Sequence, residues 1–310
     1  MKTTINVATC NFEANGKGDR QLWQKMHDHL AALSLDLLLR QETWDALDHG
    51  GELHEAAKTA LAMDGWIGQR CCTGVYANPL TFDPLRGWSH DVGPMWALPP
   101  TVQAFRLRAA GPQSLPLIAA SYHLAYNNAD QRLLEARDAT RWPDKWWPLE
   151  DRRSVQLPVL IGGDHNSDPQ AGAPGEPAQR DLSTILDRVH LAHRTYLAPD
   201  GTLVLDDRPD RVLRIALDDI ARHLAERPGH GRKLTPTVHG SDTQGAGSRI
   251  DRIYASPLLL PALVDVEVID ATGLSDHHIV LGRFDAEALA EILRHPQPQP
   301  ADRISPATAP

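Results

Sequence analysis

Short runs of β-branched or wholly apolar residues recur along the chain at 4–10, 35–39, 73–77, 102–107, 115–122, 157–161, 249–255, 264–269 and 279–284. Each predicts a strand. Between them, apolar positions three or four apart predict helices. Leu22, Met26, Leu30 and Leu33 form one stripe, Leu182, Ile185, Leu186 and Val189 a second, and Leu213, Leu217, Ile220 and Leu224 a third. Strands and helices interspersed in this way predict a layered α/β protein. Several strands follow one another with no helix between them, which requires antiparallel pairs and mixed sheets. Residues 168–177, loaded with Pro, Gly and Ala, and 228–247, rich in Gly, His and Thr, read as long surface loops. The tail over 295–310, with repeated Pro and Gln, reads as disordered because it has too little apolar surface to pack.

The polar residues that close the apolar runs carry the chemistry. Asn11 follows INVATC, Glu42 follows LDLLLRQ, Asp164 and Asn166 lie in LIGGDHN, and Asp276 and His277 lie in LSDHH. A sheet delivers its strand ends to one edge, so residues far apart in sequence can converge on a single hollow. Oxygen ligands with a histidine suit a hard divalent cation and a phosphate. Magnesium needs only one or two carboxylates and keeps several waters, a demand that Glu42 with Asn11 and Asp276 can meet. Attack on phosphorus also needs a carboxylate to align water, donors for the equatorial oxygens and help for the leaving oxygen. Asp164, Asn166, His123 and His277 have the side chains for those tasks.

Plainer readings exist for each residue alone. Asp-x-Asn after a strand also makes a turn or a helix cap, and Glu42 also suits the first turn of a helix starting near Thr43. Asp251 lies in a strand between Ile250 and Ile253, where a carboxylate on a buried face requires a partner. Trp142, Trp146 and Trp147, beside Arg141 and Lys145, can stack nucleobases, but aromatics so placed more often close a helix end onto a core, which is the reading favoured here. His190 and His193 lack a third ligand at zinc-like spacing and read as a solvated helix face.

With 310 residues, 42% of them hydrophobic and 23% charged, the chain can bury a large core. Its 31 basic and 40 acidic residues leave a net charge of −9, so nothing attracts polyphosphate in general and a nucleic acid must be held by a local patch. Arg232, Lys233, Arg249 and Arg252, near Asp251, are candidates for that patch. Three cysteines, two of them adjacent, argue against a disulfide framework and for a reducing compartment. The MKTT start leads directly into a strand and no apolar run reaches membrane-span length, so a cytoplasmic protein is expected.

Six fragments in order, Asn11 in TCNF, Glu42 in RQE, His123 in SYHL, Asp164 and Asn166 in GGDHN, Asp251 in SRIDRIY, and Asp276 and His277 in LSDHH, resemble the endonuclease/exonuclease/phosphatase superfamily. The resemblance implies one catalytic domain over 1–290 with the deoxyribonuclease I-like fold, a four-layer α/β/β/α sandwich of two mixed β-sheets flanked by helices. It also implies hydrolysis of a phosphoester with magnesium, or manganese in its place. Carried over by position, Asn11, Glu42 and Asp276 would serve the metal, and Asp164 would orient or deprotonate the attacking water. Asn166 would hold the phosphate or that carboxylate, Asp251 would pair with His277, and His123 would reach a phosphate oxygen or the leaving group. His165 stands where an aromatic is usual. The expected substrate is DNA or RNA. The acidic charge favours instead a small-molecule or lipid head-group phosphoester. A non-catalytic binding protein on the same fold is the third reading, and the intact polar set argues against it.

Overall fold

The computed structural model describes residues 3–89, 91–148, 154–228 and 234–295. The chain runs through β1 (Thr4–Asn11), α1 (Arg20–Ala32), β2 (Leu37–Gln41), α2 (Glu52–Leu61), β3 (Asp64–Ile67) and β4 (Thr73–Ala77). Next come β5 (Phe82–Gly87), β6 (Thr101–Leu107), β7 (Leu117–His123) and α3 (Ala129–Ala139). A hairpin of β8 (Trp146–Pro148) and β9 (Ser154–Gln156) precedes β10 (Val159–Asp164). Then follow α4 (Arg188–Arg194), a hairpin of β11 (Thr195–Leu197) and β12 (Leu203–Leu205), α5 (Arg208–Ala216), β13 (Asp218–Asp219) and α6 (Ile220–Ala225). The last elements are β14 (Asp251–Ala255), β15 (Leu263–Ile269), β16 (Ile279–Asp285) and α7 (Ala286–Arg294).

Two six-stranded sheets result, ordered β15-β16-β1-β2-β4-β3 and β13-β14-β10-β7-β6-β5. Only β1 with β2 and β7 with β10 run parallel in them; the other neighbours are antiparallel, so both sheets are mixed. Alternation along each strand separates the faces. Val7, Leu37, Leu39 and Val75 of the first sheet meet Phe105, Leu117 and Ile253 of the second in the core between them. Ala8, Cys10 and Leu38 point the other way and pack under Trp23, Met26 and Leu30 of α1 and Ala57 of α2. On the far side of the second sheet, the Tyr254 hydroxyl donates to Asp210 of α5 at 2.6 Å, and α3 packs against α5. Helices therefore cover both outer faces, the four-layer sandwich that the resemblance implies.

The first helical stripe is α1, with Asp19 as its N-cap. The second stripe is not one helix. Asp181 caps a single 3-10 turn over Leu182–Thr184, and Asp187 starts α4 by accepting from the amides of Val189 and His190. Leu186 and Val189 are left exposed, at 71% and 60%. Each aspartate satisfies amide donors that a continuous helix would have bonded to its own carbonyls. The third stripe is broken as well. Leu217 is extended (φ −134°), β13 pairs with β14, and Asp219 caps α6, yet Leu213, Leu217, Ile220 and Leu224 all remain buried.

The segments read as surface loops lack regular structure where they are described, but both reach inward. Asp168 is 3% exposed and pairs with Arg180 at 3.1 Å, and the buried Thr237 hydroxyl accepts from the Asp251 amide at 2.9 Å. Trp142 is wholly buried beneath the charges of Arg141 and Lys145, and Trp147 packs on the core, so these two seal the core, whereas Trp146 is 58% exposed. Among the described residues no helix is long and apolar enough to cross a membrane. The tail from residue 296 lies outside the described residues.

Candidate active site

The inward face of β1 reads Ile5, Val7, Thr9, Asn11, and its neighbours change in the same way from apolar to polar toward one end of the sandwich. Below that end, Thr9 donates to Gln41 Oε1 at 3.2 Å, Gln41 Nε2 to Ser121 Oγ at 2.9 Å, and Ser121 Oγ to the Arg40 carbonyl at 2.6 Å. This chain ties the sheets together. Gly162 lets them close, since a Cβ there would lie 2.7 Å from Leu39 Cδ1. Above it, pairing aligns the functional positions: Asn11 stands opposite Gln41, His123 opposite Asp164, and Asp164 opposite Asp251.

Asp164 is the centre. Its Oδ2 accepts from Asn11 Nδ2 at 3.2 Å and lies 3.5 Å from His123 Nε2 and 3.9 Å from His277 Nε2. Its Oδ1 accepts from the Asn166 amide at 2.7 Å. Asn166 takes a left-handed backbone (φ 47°), donates Nδ2 to the Leu124 carbonyl at 3.0 Å and receives Arg194 Nη1 on Oδ1 at 3.2 Å. On the opposite side His277 Nδ1 meets Asp251 Oδ2 at 2.8 Å. Asn11, His123, Asp164, Asn166, Asp251 and His277 thus form one buried cluster.

Burial alone would lower the His277 imidazole. The Asp251 charge and hydrogen bond, with Asp164 beyond, outweigh it and push its pKa up to about 10. Burial works against ionisation of Asp164, but His277, His123, the Asn166 amide and Arg194 hold it below the usual carboxylate value. The cluster therefore combines an ionised carboxylate with an imidazolium near neutral pH.

Glu42 and Asp276 lie at the Asn11 side of this cluster rather than within it. Glu42, one residue beyond β2 in a left-handed conformation (φ 55°), accepts from the Ala14 amide at 2.6 Å and from Trp44 Nε1 at 3.4 Å. Asp276 is exposed. Its neighbour Ser275 donates to the Asn11 carbonyl at 3.0 Å and accepts from the Glu13 amide at 3.1 Å. Lys17 stands in the field of both carboxylates. Among the described residues, the three-member group with metal-ligand spacing is Asp164, Asp251 and His277, within 4.8 Å of one another, and His277 and Asp251 there already bond to each other. The Asn11 Oδ1 atom, by contrast, is buried with no partner. An unpartnered amide oxygen, with the Glu42 and Asp276 carboxylates on segments bonded to the Asn11–Ala14 stretch, supplies oxygen donors of the kind a hard divalent cation requires.

The sequence model of the Endonuclease/Exonuclease/phosphatase family matches residues 3–277. The chain belongs to this family. Its members hydrolyse phosphoester bonds, as nucleases or phosphatases. A comparison with curated proteins finds no match. Among solved structures, D. rerio TDP2 complexed with a single strand DNA product is similar with a TM-score of 0.58 and 14% identity, over 92% of this chain and 100% of that one. An AP endonuclease from Archaeoglobus fulgidus gives 0.57 and 14% over 91% and 99%, and ANGEL2, a 2',3'-cyclic phosphatase, gives 0.53 and 15% over 91% and 96%. These likenesses establish the endonuclease/exonuclease/phosphatase fold.

Several sequence readings need correction in this member of the endonuclease/exonuclease/phosphatase family. Arg249 and Arg252 do not form a phosphate patch. Arg249 is buried against Asp219 at 2.6 Å and Glu176 at 2.7 Å, and Arg252 donates to the Ser167 and Arg249 carbonyls and to Tyr254. Both guanidinium groups are spent on tying loops to β14. Arg232 and Lys233 lie outside the described residues. Arg194 was not foreseen, since nothing in HLAHRTY marks it as facing the GDHN turn. His193 is not simply solvated, for its ring meets Tyr126 edge-on at 5.8 Å.

His165 fills the usual aromatic place by packing edge-on against Tyr254 at 5.0 Å, but neither ring nitrogen has a partner. Burial, then the Arg252 charge, lowers its pKa to about 3. Its unfolded value is 6.5, so the contribution of the neutral His165 to stability is fully present above pH 6.5 and is lost as pH drops toward 3. His165→Phe is expected to gain about 1–3 kcal/mol at neutral pH by removing two buried unsatisfied nitrogens, and to shrink the loss on acidification. Urea denaturation at pH 7.5 and 5 checks this; an unchanged pH dependence would assign the acid sensitivity elsewhere.

Proposed function

We propose that the chain is a divalent-metal-dependent phosphodiesterase, acting on DNA or RNA, with magnesium or manganese as its cation. The observation that carries this reading is the convergence on Asp164 of groups from three chain-distant segments, Asn11, His123 and His277, together with the Asn166 amide of its own turn, next to the unpartnered Asn11 oxygen. Asn11, Glu42 and Asp276 would hold the metal, which when bound supplies charge neutralisation at the phosphate. Asp164, kept ionised by its neighbours, orients water and accepts its proton. Asn166 and His123 donate to phosphate oxygens, and the His277 imidazolium, held by Asp251, opposes the developing charge. The single strand DNA product held by the similar D. rerio TDP2 supports a nucleic-acid substrate.

A second reading, a phosphatase or phosphodiesterase for a small-molecule or lipid head-group ester, draws support from the net charge of −9 and from the internal pairing of Arg249 and Arg252. Product release from plasmid DNA, single-stranded RNA and a bis-aryl phosphodiester, with magnesium and with chelator, separates the two. Cleavage confined to the small diester would favour the second reading. No metal-dependent product from any of the three would remove both. Glu42→Gln is expected to raise the magnesium concentration for half-maximal activity by roughly tenfold, because it removes a carboxylate charge from the donor set. An unchanged magnesium titration would remove Glu42 from the metal's ligands.

A further inference from the structure

Arg194 closes α4 and stands half-buried behind the GDHN turn, in the field of Asp164 and Asp168 but with no carboxylate in direct contact among the described residues. Nη1 donates to Asn166 Oδ1 at 3.2 Å and to the Asn166 carbonyl at 3.4 Å, and Nη2 donates to Gln244 Oε1 at 2.7 Å. Nε is buried with no partner. Among the described residues no carboxylate forms an ion pair with it, and the nearby Asp168 is taken by Arg180 at 3.1 Å. A partly buried cation with no direct ion pair carries a desolvation cost, and this one spends its donors on a residue of the cluster.

The chemistry of the two partners of Asn166 is decisive. A guanidinium has donors and no acceptor, so it can face only the amide oxygen. The Leu124 carbonyl can only accept, so it must face the amide nitrogen. Turning the amide over would set N–H against guanidinium and oxygen against carbonyl, two repulsive contacts at a buried side chain. The nitrogen carries two hydrogens and Leu124 takes one. The two bonds to Asn166 also brace a left-handed backbone that asparagine tolerates but does not prefer.

We infer that Arg194 is a positioning residue that locks the side-chain amide of Asn166 in one orientation, reserving its second Nδ2 hydrogen for a phosphate oxygen beside Asp164. The phosphate part rests on the hydrolase reading; the locking does not. Burial and the Arg180 charge bring the Arg194 pKa down to about 10, so it stays charged at neutral pH and the lock is permanent there.

Arg194→Met is expected to lower kcat about 10- to 100-fold with KM changed by less than about threefold, the scale of a misplaced binding group. In an Asn166→Ala background the same change should cost less than about threefold, because the group it positions is gone. Arg194→Lys, with a single donor group, should restore part of the rate. The reading independent of activity is the Asn166 Nδ2 resonance pair, assigned by its loss in Asn166→Ala. One proton should be protected from exchange in the wild type, and that protection should vanish in Arg194→Met. Gln244→Ala, which cuts the other bond of Arg194, should leave the pair in place and control for a purely structural tie. Equal rate losses in both backgrounds, or an unchanged resonance pair in Arg194→Met, overturn the proposal; if Arg194→Met does not fold, Arg194→Lys must shift the pair or the proposal falls. A wild type that hydrolyses no phosphoester but shows the resonance change would sink the hydrolase reading and leave the lock standing.

Discussion

Asp164→Ala is expected to lower kcat by about 10³-fold or more while the protein still unfolds in one cooperative step. Asp164 anchors the site's donors, and the proposed reading makes it the general base; losing both together typically costs this much. Asp164 lies at the end of β10, bonded to Asn11 and to the Asn166 amide and within 4 Å of both His123 and His277. Without it Asn11 is free to turn, and the Asn166 turn loses the acceptor for its amide. Asp164→Asn separates shape from charge: it keeps the turn and is expected to lose nearly as much activity, because an amide cannot take a proton from water. The Asp164 pKa is depressed by its partners, so the carboxylate stabilises the fold above pH 3.8, its unfolded value, and that share is lost as pH falls further. Single-turnover hydrolysis with excess magnesium, with melting curves alongside, tests both variants. A rate within about tenfold of wild type in Asp164→Asn would show that charge at this position is not used.

His277→Ala should be almost as damaging, for a different reason. Its imidazole links Asp251, at 2.8 Å, to Asp164, at 3.9 Å, and removing it leaves two buried carboxylates with no cation between them. Turnover is expected to fall by roughly 10²- to 10⁴-fold. With its pKa pushed up to about 10, His277 remains an imidazolium through neutrality, so kcat/KM should hold across neutral pH and fall as pH rises through about 10. The effect on stability has the same direction. The folded value exceeds the unfolded 6.5, so the ion pair contributes fully below pH 6.5, and the contribution declines between 6.5 and about 10. Asp251→Asn removes the largest of the charges raising it and should move both the alkaline limb and the imidazole NMR titration toward neutral pH. A His277 that titrates near 6.5 in the wild type would contradict this account of the pair.

Much of this architecture was legible because burial imposes a period. Strands such as β1 and β7 announce themselves by apolar runs that end in a polar residue, and α1 by four apolar positions on one face. Helix α3 did not, since Arg132 and Glu135 lie on its buried face and bond to Asp206 and to loop amides. An apolar stripe cannot reveal a helix that buries charge. The second and third stripes misled for a related reason: apolar spacing survives when aspartates cap and restart a helix, so the period persists across a break it cannot register.

Sequence order alone determined that Asn11, Glu42, His123, Asp164 and Asn166 fall at strand ends, because a sheet's alternation and the turn that must follow it are local properties of the chain. Which of these groups touch was decided by tertiary structure. Pairing of β10 with both β7 and β14 set His123 and Asp251 beside Asp164, while Glu42 was turned toward the Ala14 amide. The same packing directed Arg249 and Arg252 into internal pairs and brought Arg194 onto Asn166. Long charged side chains take their partners from whatever the fold brings within a few ångströms, and no local period records that choice.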